Sequence, residues 1–284
     1  MPLTAFADCE YGTLKEALVC SANKVDAADA VSGEEVWTNH DLATVQHERL
    51  VDAMRREGIV CHSINPSFGI PYQCFMRDSS VSTPWGLIVS RMGSDQRKKE
   101  TGILAQFAKD REIGIWKNVL DGALEGGDVH LLRPGHAVIG CSGWRTSDAA
   151  ARQASQWFKD QGWQCRIFSY PRAFIHLDIV FGVLDHRNII CCPEALQRSD
   201  IDWLASIGFN IHRVRLQEAD NMICNALCLG ERRLLSCSQN QAGNALLREL
   251  GFHVIEVDLS QFVRAGGGTR CLVQALRRER YAVS

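Results

Sequence analysis

The sequence predicts an α/β fold built from five similar units with five-fold pseudo-symmetry. Its main sign is a helical pattern that ends at a glycine and leads into a short apolar run, recurring every 43 to 56 residues along the 284-residue chain. The five glycines are Gly58, Gly114, Gly162, Gly208 and Gly251. A second sign is that segments of alternating polarity, typical of β-hairpins, lie between them. Five evenly spaced instances favour this repeat over a generic α/β protein whose helices end in glycine.

Each unit is predicted to run hairpin, helix, strand. After an opening strand at residues 11–20, hairpins are expected at 129–141, at 175–192 with a turn at 185–188, and at 222–237. Helices are expected near 147–160, 193–206 and 239–249. Each repeated glycine is predicted to end its helix in the left-handed conformation. We expect a single catalytic domain over residues 1–284.

Composition excludes several classes of function. With 46% hydrophobic and 23% charged residues, the chain can bury a sizeable core. A net charge of −2 without a basic stripe argues against a nucleic-acid partner. The most apolar stretch, residues 173–192, contains five charged or histidine side chains and is not expected to cross a membrane. The start of the chain lacks a basic segment leading into an apolar run, so a cytoplasmic protein is expected.

Twelve cysteines raise the question of disulfides or metal. In a reducing compartment most of them should be buried thiols, with one or two reactive or metal-binding. No CxxC pair occurs, and Cys224 and Cys228 lack histidine or cysteine partners at a zinc-like spacing. The sequence therefore predicts no metal site, and nothing in it calls for a cofactor.

Four short polar segments stand at corresponding places in the units, beside apolar strand sequence where an unused carboxylate is costly. They are residues 75–78 (FMRD), 125–128 (EGGD), 176–178 (HLD) and 266–271 (GGGTRC). The paired glycines of the second segment allow a sharp turn that brings Glu125 and Asp128 toward one point, although a plain acidic turn is the alternative.

The other two segments combine a histidine with an acid and glycines with a thiol. Placed in a strand, His176 and Asp178 would share one face because side chains alternate with a period of two. A lone strand histidine is usually structural, but the same-face acid favours function. Cys271 follows a glycine-rich approach where another molecule could come close, although any one thiol among twelve is a weak candidate alone.

Taken together and in this order, the four segments resemble those of the arginine deiminases, amidinotransferases and dimethylarginine hydrolases. The resemblance extends to residues 11–20 (YGTLKEALVC) and 140–147 (GCSGWRTS), so it spans most of the chain. It implies membership of this guanidino-group-modifying superfamily, whose fold is a five-bladed α/β propeller, the pentein fold.

The resemblance also implies roles for individual residues. Cys271 would be the nucleophile, His176 the general acid and base, and Glu125 the acid that orients His176. Carboxylates suit a planar cation with several N–H donors, and a bound cation stabilises a nearby thiolate. Arg145 would anchor the substrate α-carboxylate with help from Arg97, for which a solvated arginine is the alternative. The implied substrate-binding set is Phe75, Asp78, Asp128, Asp178, Arg145 and Arg97.

The predicted function is hydrolysis of the guanidinium of arginine or a close derivative through a covalent amidino-cysteine. The HLD segment favours unsubstituted arginine, whereas the chain lacks room for the additional domain of many arginine deiminases. Arginine deiminase or dihydrolase chemistry ranks first, dimethylarginine hydrolysis second and amidine transfer third. A non-catalytic relative, such as the ribosome-binding factor of the same fold, is disfavoured by the intact set of thiol, histidine and acids. The expected partner is a small guanidino compound; a homodimer is left open.

Overall fold

The strands pair into five sheets of three strands each, within residues 3–22 and 39–281, which the computed structural model describes. The strands are β1 Leu14–Cys20, β2 Val60–Ile64, β3 Ser80–Thr83, β4 Gly86–Val89, β5 Ile115–Asn118, β6 Val129–Arg133, β7 His136–Cys141, β8 Gln164–Ser169, β9 Phe181–Val183, β10 Asn188–Cys191, β11 Asn210–Arg213, β12 Leu227–Gly230, β13 Arg233–Cys237, β14 His253–Val257 and β15 Gln274–Arg278.

Every sheet follows the same plan. The middle strand is antiparallel to the first and parallel to the third, as in β6-β7-β8. Four sheets use three consecutive strands, whereas the fifth has the order β15-β1-β2 and joins the two ends of the described chain. The parallel pairs need a crossover, and in each sheet a helix supplies it. The helices are α1 His40–Arg56, α2 Lys98–Asp110, α3 Asp148–Asp160, α4 Arg198–Ser206, α5 Leu216–Asp220, α6 Gln241–Glu249 and α7 Ser260–Arg264.

These observations confirm a mixed α/β fold of hairpin, helix and strand units. The predicted glycine conformation holds at four of the five positions, where φ is 81° at Gly58, 77° at Gly162, 93° at Gly208 and 82° at Gly251. The prediction is wrong for Gly114. Helix α2 ends at Asp110, so the left-handed position falls two residues earlier, on Glu112 with a φ of 56°.

Four predicted boundaries also need correction. The hairpin expected at 222–237 begins only at Leu227, after a 3-10 turn at Ile223–Asn225. The HLD segment is a 3-10 turn, Leu177–Ile179, instead of a strand, and the hairpin begins only at Phe181. The backbone N–H of Leu177 donates to the carboxylate of Asp128 at 2.8 Å and is thereby withdrawn from strand pairing. The opening strand begins at Leu14 instead of residue 11. The helix expected from residue 193 begins at Arg198, after a 3-10 turn at Pro193–Ala195.

A short turn precedes the first strand of every sheet, and these five turns position the site. Four are 3-10 turns, Met76–Ser79, Gly126–Asp128, Leu177–Ile179 and Ile223–Asn225, and the fifth spans residues 268–272. Neighbouring turns contact one another, and the N–H of Arg77 in the first donates to the carbonyl of Cys271 in the fifth at 3.1 Å. One polar residue or cysteine of each turn lies one to three positions before the strand that follows: Asp78, Asp128, Asp178, Asn225 and Cys271.

Apolar side chains of the sheets and helices form the core behind these turns. The largest cluster joins Leu50 and Met54 of α1 to Phe262 of α7 and to strands β9–β14. A second is aromatic, with Phe158 of α3 packed among tryptophans. Among the described residues, no helix combines the length and apolarity that a bilayer crossing requires.

Candidate active site

A cavity of about 190 Å³ opens where the turns meet. Its lining residues are Tyr72, Phe75, Asp78, Arg97, Trp144, Arg145, Ile175, His176, Ala265, Gly266 and Cys271. Six of the nine predicted site residues are among them. The other three, Glu125, Asp128 and Asp178, are fully buried directly behind the lining. The structure therefore brings the nine residues into one region, although residues 75–78 and Cys271 are almost two hundred positions apart in the chain.

His176 is held between two carboxylates. Its Nε2 lies 2.7 Å from Oε2 of Glu125, and its Nδ1 lies 3.5 Å from Oδ1 of Asp78. Burial opposes a charge on the ring, but Asp78 and Glu125 outweigh it and raise the pKa of His176 to about 9. Conversely, burial would raise the pKa of Glu125, and the hydrogen bond and charge of His176 lower it. The pair is therefore an imidazolium–carboxylate pair at neutral pH.

Close packing of the second turn explains the glycine next to Asp128. A Cβ on Gly127 would lie 2.7 Å from Cγ of His176 and 2.9 Å from Oδ1 of Asp78. Any side chain there would push the imidazole away from both acids. The EGGD segment is thus required by the approach of His176 as well as by the turn.

Cys271 presents its thiol to the cavity from the fifth turn. It is 4% exposed, and its Sγ lies 3.8 Å from Oδ2 of Asp178. Burial, together with the charges of Asp178 and Asp78, raises the pKa of this thiol well above its ordinary value. All twelve cysteines are free thiols, and Cys271 alone among them lines this cavity. Cys271 therefore differs from the other eleven cysteines by its position in the cavity and not by a low pKa.

The three aspartates differ in what already binds them. Asp78 accepts a hydrogen bond from Arg97 at 2.7 Å, and Asp178 accepts one from Arg270 at 2.6 Å. Asp128 accepts from the hydroxyl of Tyr170 at 2.7 Å and orients the third turn through Leu177. Among the described residues, each aspartate keeps one buried oxygen without a hydrogen-bond partner. Of the three, only Asp78 lines the cavity, so its Oδ1 is the acceptor that a cationic ligand there would meet first.

The two predicted arginines are tied to the acids of the site. Arg97 donates to both carboxylate oxygens of Glu100, at 2.9 and 2.8 Å, as well as to Asp78. Arg145 lies 3.3 Å from Oε1 of Glu125 and stacks on the ring of Trp144 at 4.7 Å. Both line the cavity, so both present positive charge to it.

Two contributors were missed by the sequence reasoning. Asn225 donates from its amide to Sγ of Cys271 at 3.1 Å, and Arg270 joins Asp178 to Glu10. Asn225 could have been found, because it stands in the fourth unit where the other units carry an aspartate or the cysteine. Arg270 belongs to the GGGTRC segment, but nothing in the sequence indicated that Glu10 would be its partner.

One group of ligand atoms is compact enough for a metal ion. The donor atoms of Asp78, Glu125 and His176 lie within 4.8 Å of one another. The nearby guanidinium groups of Arg97 and Arg145 already neutralise these acids, at 2.7 and 3.3 Å from the nearest carboxylate oxygens. This arrangement favours a hydrogen-bonded acid–base cluster over a metal centre.

Comparison with known proteins identifies the family of this chain. Residues 17–278 match a family model described as eukaryotic N,N dimethylarginine dimethylhydrolase. The uncharacterised protein YkgA of Bacillus subtilis is 27% identical over 95% of this chain and 94% of its own length. The N(G),N(G)-dimethylarginine dimethylaminohydrolase of Pseudomonas aeruginosa is 24% identical over 81% of this chain and 87% of its own length.

A solved structure shares the fold. The N-terminal domain of ArgZ, an arginine dihydrolase from cyanobacteria, superposes with a TM-score of 0.81 at 20% identity, over 93% of this chain and 97% of that one. The family match covers nearly all of the described chain, which confirms the predicted superfamily. The chain therefore belongs to the dimethylarginine dimethylaminohydrolase family of guanidino-group-modifying proteins.

Proposed function

We propose that the chain is a cysteine hydrolase that acts on the guanidinium of arginine or a close derivative. The observation that carries the proposal is one cavity that combines the thiol of Cys271, the imidazole of His176 and an oxygen of Asp78 that accepts no hydrogen bond. A nucleophile, a proton donor and an anionic acceptor for a planar cation are the parts that this hydrolysis needs. We also infer that the five sheets surround a common axis as a closed propeller, since the turns converge there.

The reaction begins with substrate binding. A guanidinium held by Asp78 brings positive charge beside Cys271, so that the thiol releases its proton to solvent and the resulting thiolate attacks the central carbon of the cation. His176 enters this step as imidazolium and protonates the departing nitrogen, and an amidino-cysteine remains. The now neutral His176 takes a proton from water, whose oxygen adds to the same carbon. Breaking the carbon–sulfur bond then releases the ureido product and restores the thiol.

Arginine is the substrate that we place first. Asp178 stands behind Cys271 with one oxygen bonded to Arg270 and the other unpaired, so it adds an acceptor for an unsubstituted nitrogen. The likeness to ArgZ, an arginine dihydrolase, supports this order. With water as second nucleophile the products are citrulline and ammonia.

Hydrolysis of dimethylarginine is the second candidate, and the match to the dimethylarginine family model favours it. The same residues would act, and the first leaving group would be dimethylamine in place of ammonia. Amidine transfer, with an amine as second nucleophile, and a non-catalytic binding role rank below both.

A substrate panel tests the proposal. Purified protein would be incubated with arginine, N-ω,N-ω-dimethylarginine and agmatine, and ammonia, dimethylamine, citrulline and ornithine would be quantified. We expect citrulline with ammonia from arginine at the highest kcat/KM. Dimethylamine as the main product would establish the second candidate, and the absence of turnover on all three compounds would contradict a guanidino hydrolase.

A further inference from the structure

Asn225 contacts the sulfur of Cys271 at a shorter distance than the carboxylate of Asp178 does, 3.1 Å against 3.8 Å. It is fully buried in the turn Ile223–Asn225 and makes hydrogen bonds through both ends of its amide. Its Oδ1 accepts from the backbone N–H of Arg270 at 3.0 Å and from that of Cys271 at 3.2 Å. Its Nδ2 donates to the carbonyl of Asp178 at 3.3 Å and to Sγ of Cys271 at 3.1 Å.

These partners fix which end of the amide faces the thiol. The two backbone N–H groups can only donate, so they require the oxygen of Asn225 on their side. The carbonyl of Asp178 can only accept, so it requires the NH₂ group on the other side. The amide therefore points an N–H at the sulfur of Cys271, and a flipped amide would break three hydrogen bonds.

The local backbone is shaped around this side chain. Met222, directly before the turn, has a left-handed φ of 68°, an unfavourable conformation for a residue with a side chain. On the opposite side, a Cβ on Gly268 would lie 2.8 Å from Oδ1 of Asn225. A strained turn and a required glycine thus converge on the amide that contacts the thiol.

The charges around Cys271 make an N–H donor important. The carboxylate oxygen of Asp178 lies 3.8 Å from Sγ, and Asp78 lines the same cavity, so both acids oppose a negative charge on sulfur. A donated hydrogen bond favours the thiolate over the thiol. The hydrogen bond also fixes the direction of Sγ, because the amide is itself held at three other points.

We propose that Asn225 is a further catalytic residue, whose amide N–H aims the sulfur of Cys271 and stabilises the thiolate that attacks the substrate. The assignment of an attack rests on the proposed function, whereas the effect on the thiol does not. Asn225 thereby gives the fourth unit a role in the site, in the position where three other units carry an acid and the fifth carries the nucleophile.

Alkylation of Cys271 without substrate tests the contact. Wild type, Asn225→Asp and Asn225→Ser would be treated with iodoacetamide, a neutral reagent, across neutral to alkaline pH, and labelling of the Cys271 peptide would be followed by mass spectrometry. The pH midpoint reports ionisation of the thiol, and the plateau reports access. Asp retains an oxygen for the two backbone N–H groups but loses the donor and adds charge. Ser removes the amide N–H that faces the sulfur without adding charge and leaves only a shorter hydroxyl.

We expect the midpoints of both variants to move to higher pH, by about one unit or more for Asn225→Asp and by less for Asn225→Ser. A shift of one unit is a tenfold loss of thiolate at a fixed pH below the midpoint. Turnover should fall through kcat with little change in KM. The matched control is Asn244→Ser, which removes another fully buried amide, bonded to the carbonyl of Cys237 outside the site. It should keep the wild-type midpoint.

The outcomes separate the two proposals. Wild-type midpoints in folded Asn225→Asp and Asn225→Ser would overturn the role of Asn225. Shifted midpoints in a protein that turns over no guanidino compound would support the contact and contradict the proposed function. If the variants do not fold, the ¹⁵N side-chain amide signal of Asn225 in wild type decides the question, since it should shift when Cys271 is alkylated. An unchanged signal would again overturn the role.

Discussion

The acids around the cavity leave its histidine side charged and its cysteine side uncharged. Next to His176, Asp78 and Glu125 favour the charged imidazolium and raise its pKa to about 9. At Cys271, burial and the charges of Asp178 and Asp78 favour the uncharged thiol. An acid-rich pocket therefore keeps both groups protonated at neutral pH.

This difference indicates how the site is switched on. The proton on His176 is already in place to be given to a leaving nitrogen. The thiol must first lose its proton, and the added charge of a bound guanidinium is the change that favours this loss. A substrate without a positive charge should consequently react poorly, even when it fits the cavity. Substitutions can alter the histidine side and the cysteine side of the cavity separately.

Cys271→Ser should have the largest effect, lowering turnover by roughly four orders of magnitude, because a serine hydroxyl ionises far less readily than a thiol. Unchanged thermal unfolding would show that the fold is intact. Cys61→Ser is the matched control, since Cys61 is a half-buried thiol outside this cavity. Turnover by Cys271→Ser at the wild-type rate would remove Cys271 from the mechanism.

Glu125→Gln should weaken the histidine side, lowering turnover by about a hundredfold. Glutamine can still bond the ring but carries no charge, so the pKa of His176 should fall from about 9 toward its ordinary value. The general acid is then lost at lower pH, and the alkaline limb of the kcat profile should move toward neutral pH. An unmoved alkaline limb would mean that Glu125 does not set the protonation of His176.

Asp178→Asn should act on the cysteine side in two opposed ways. Loss of a charge-assisted acceptor of about 2 kcal/mol should reduce arginine turnover roughly thirtyfold. Because the charge of Asp178 raises the pKa of Cys271, the same variant should alkylate faster at Cys271 in the absence of substrate. Unchanged kinetics on the best substrate would refute a binding role for Asp178.

Arg145→Ala should have the smallest effect and should depend on the substrate. If Arg145 reads the α-carboxylate, kcat/KM for arginine should fall by about tenfold, since Arg97 remains beside it. Agmatine lacks that carboxylate, so it should be a poor substrate of wild type and lose little more in the variant. Arg145→Lys, which keeps the charge, serves as the control. Equal wild-type rates on arginine and agmatine would assign Arg145 a structural role.

The sequence predicted the repeat because each unit repeats the same local chemistry. Glycines with a left-handed φ ended four helices as expected, and alternating polarity located the hairpins. The prediction for Gly114 was wrong because α2 ends at Asp110, so that Glu112 adopts the left-handed conformation instead. The prediction of a strand at the HLD segment was wrong because a long-range hydrogen bond from Leu177 to Asp128 overrides the local pattern.

The site was predictable to the extent that its residues are charged or nucleophilic. Cys271, His176 and the acids stand out beside apolar strands, and the cavity collects them. Asn225 carries no charge. Its role depends on a hydrogen bond to a thiol 46 positions away in the sequence, and the periodicity of the sequence cannot predict that contact. The ion pair of Arg145 with Glu125 depends likewise on how two loops of one unit pack together, whereas Arg97 and Glu100 are only three positions apart in the sequence.

If Cys271 is the nucleophile, it carries a covalent amidino intermediate during turnover, and acid quenching captures that intermediate. Wild-type protein mixed with arginine would be quenched in the steady state, digested and mapped by mass spectrometry. We expect the adduct on the Cys271 peptide and on none of the other eleven cysteines, with its yield set by the relative rates of formation and hydrolysis. In His176→Gly, a lingering adduct would assign His176 to water attack, and a missing one to the earlier step. Reproducible labelling of another cysteine, with Cys271→Ser still active, would contradict the account.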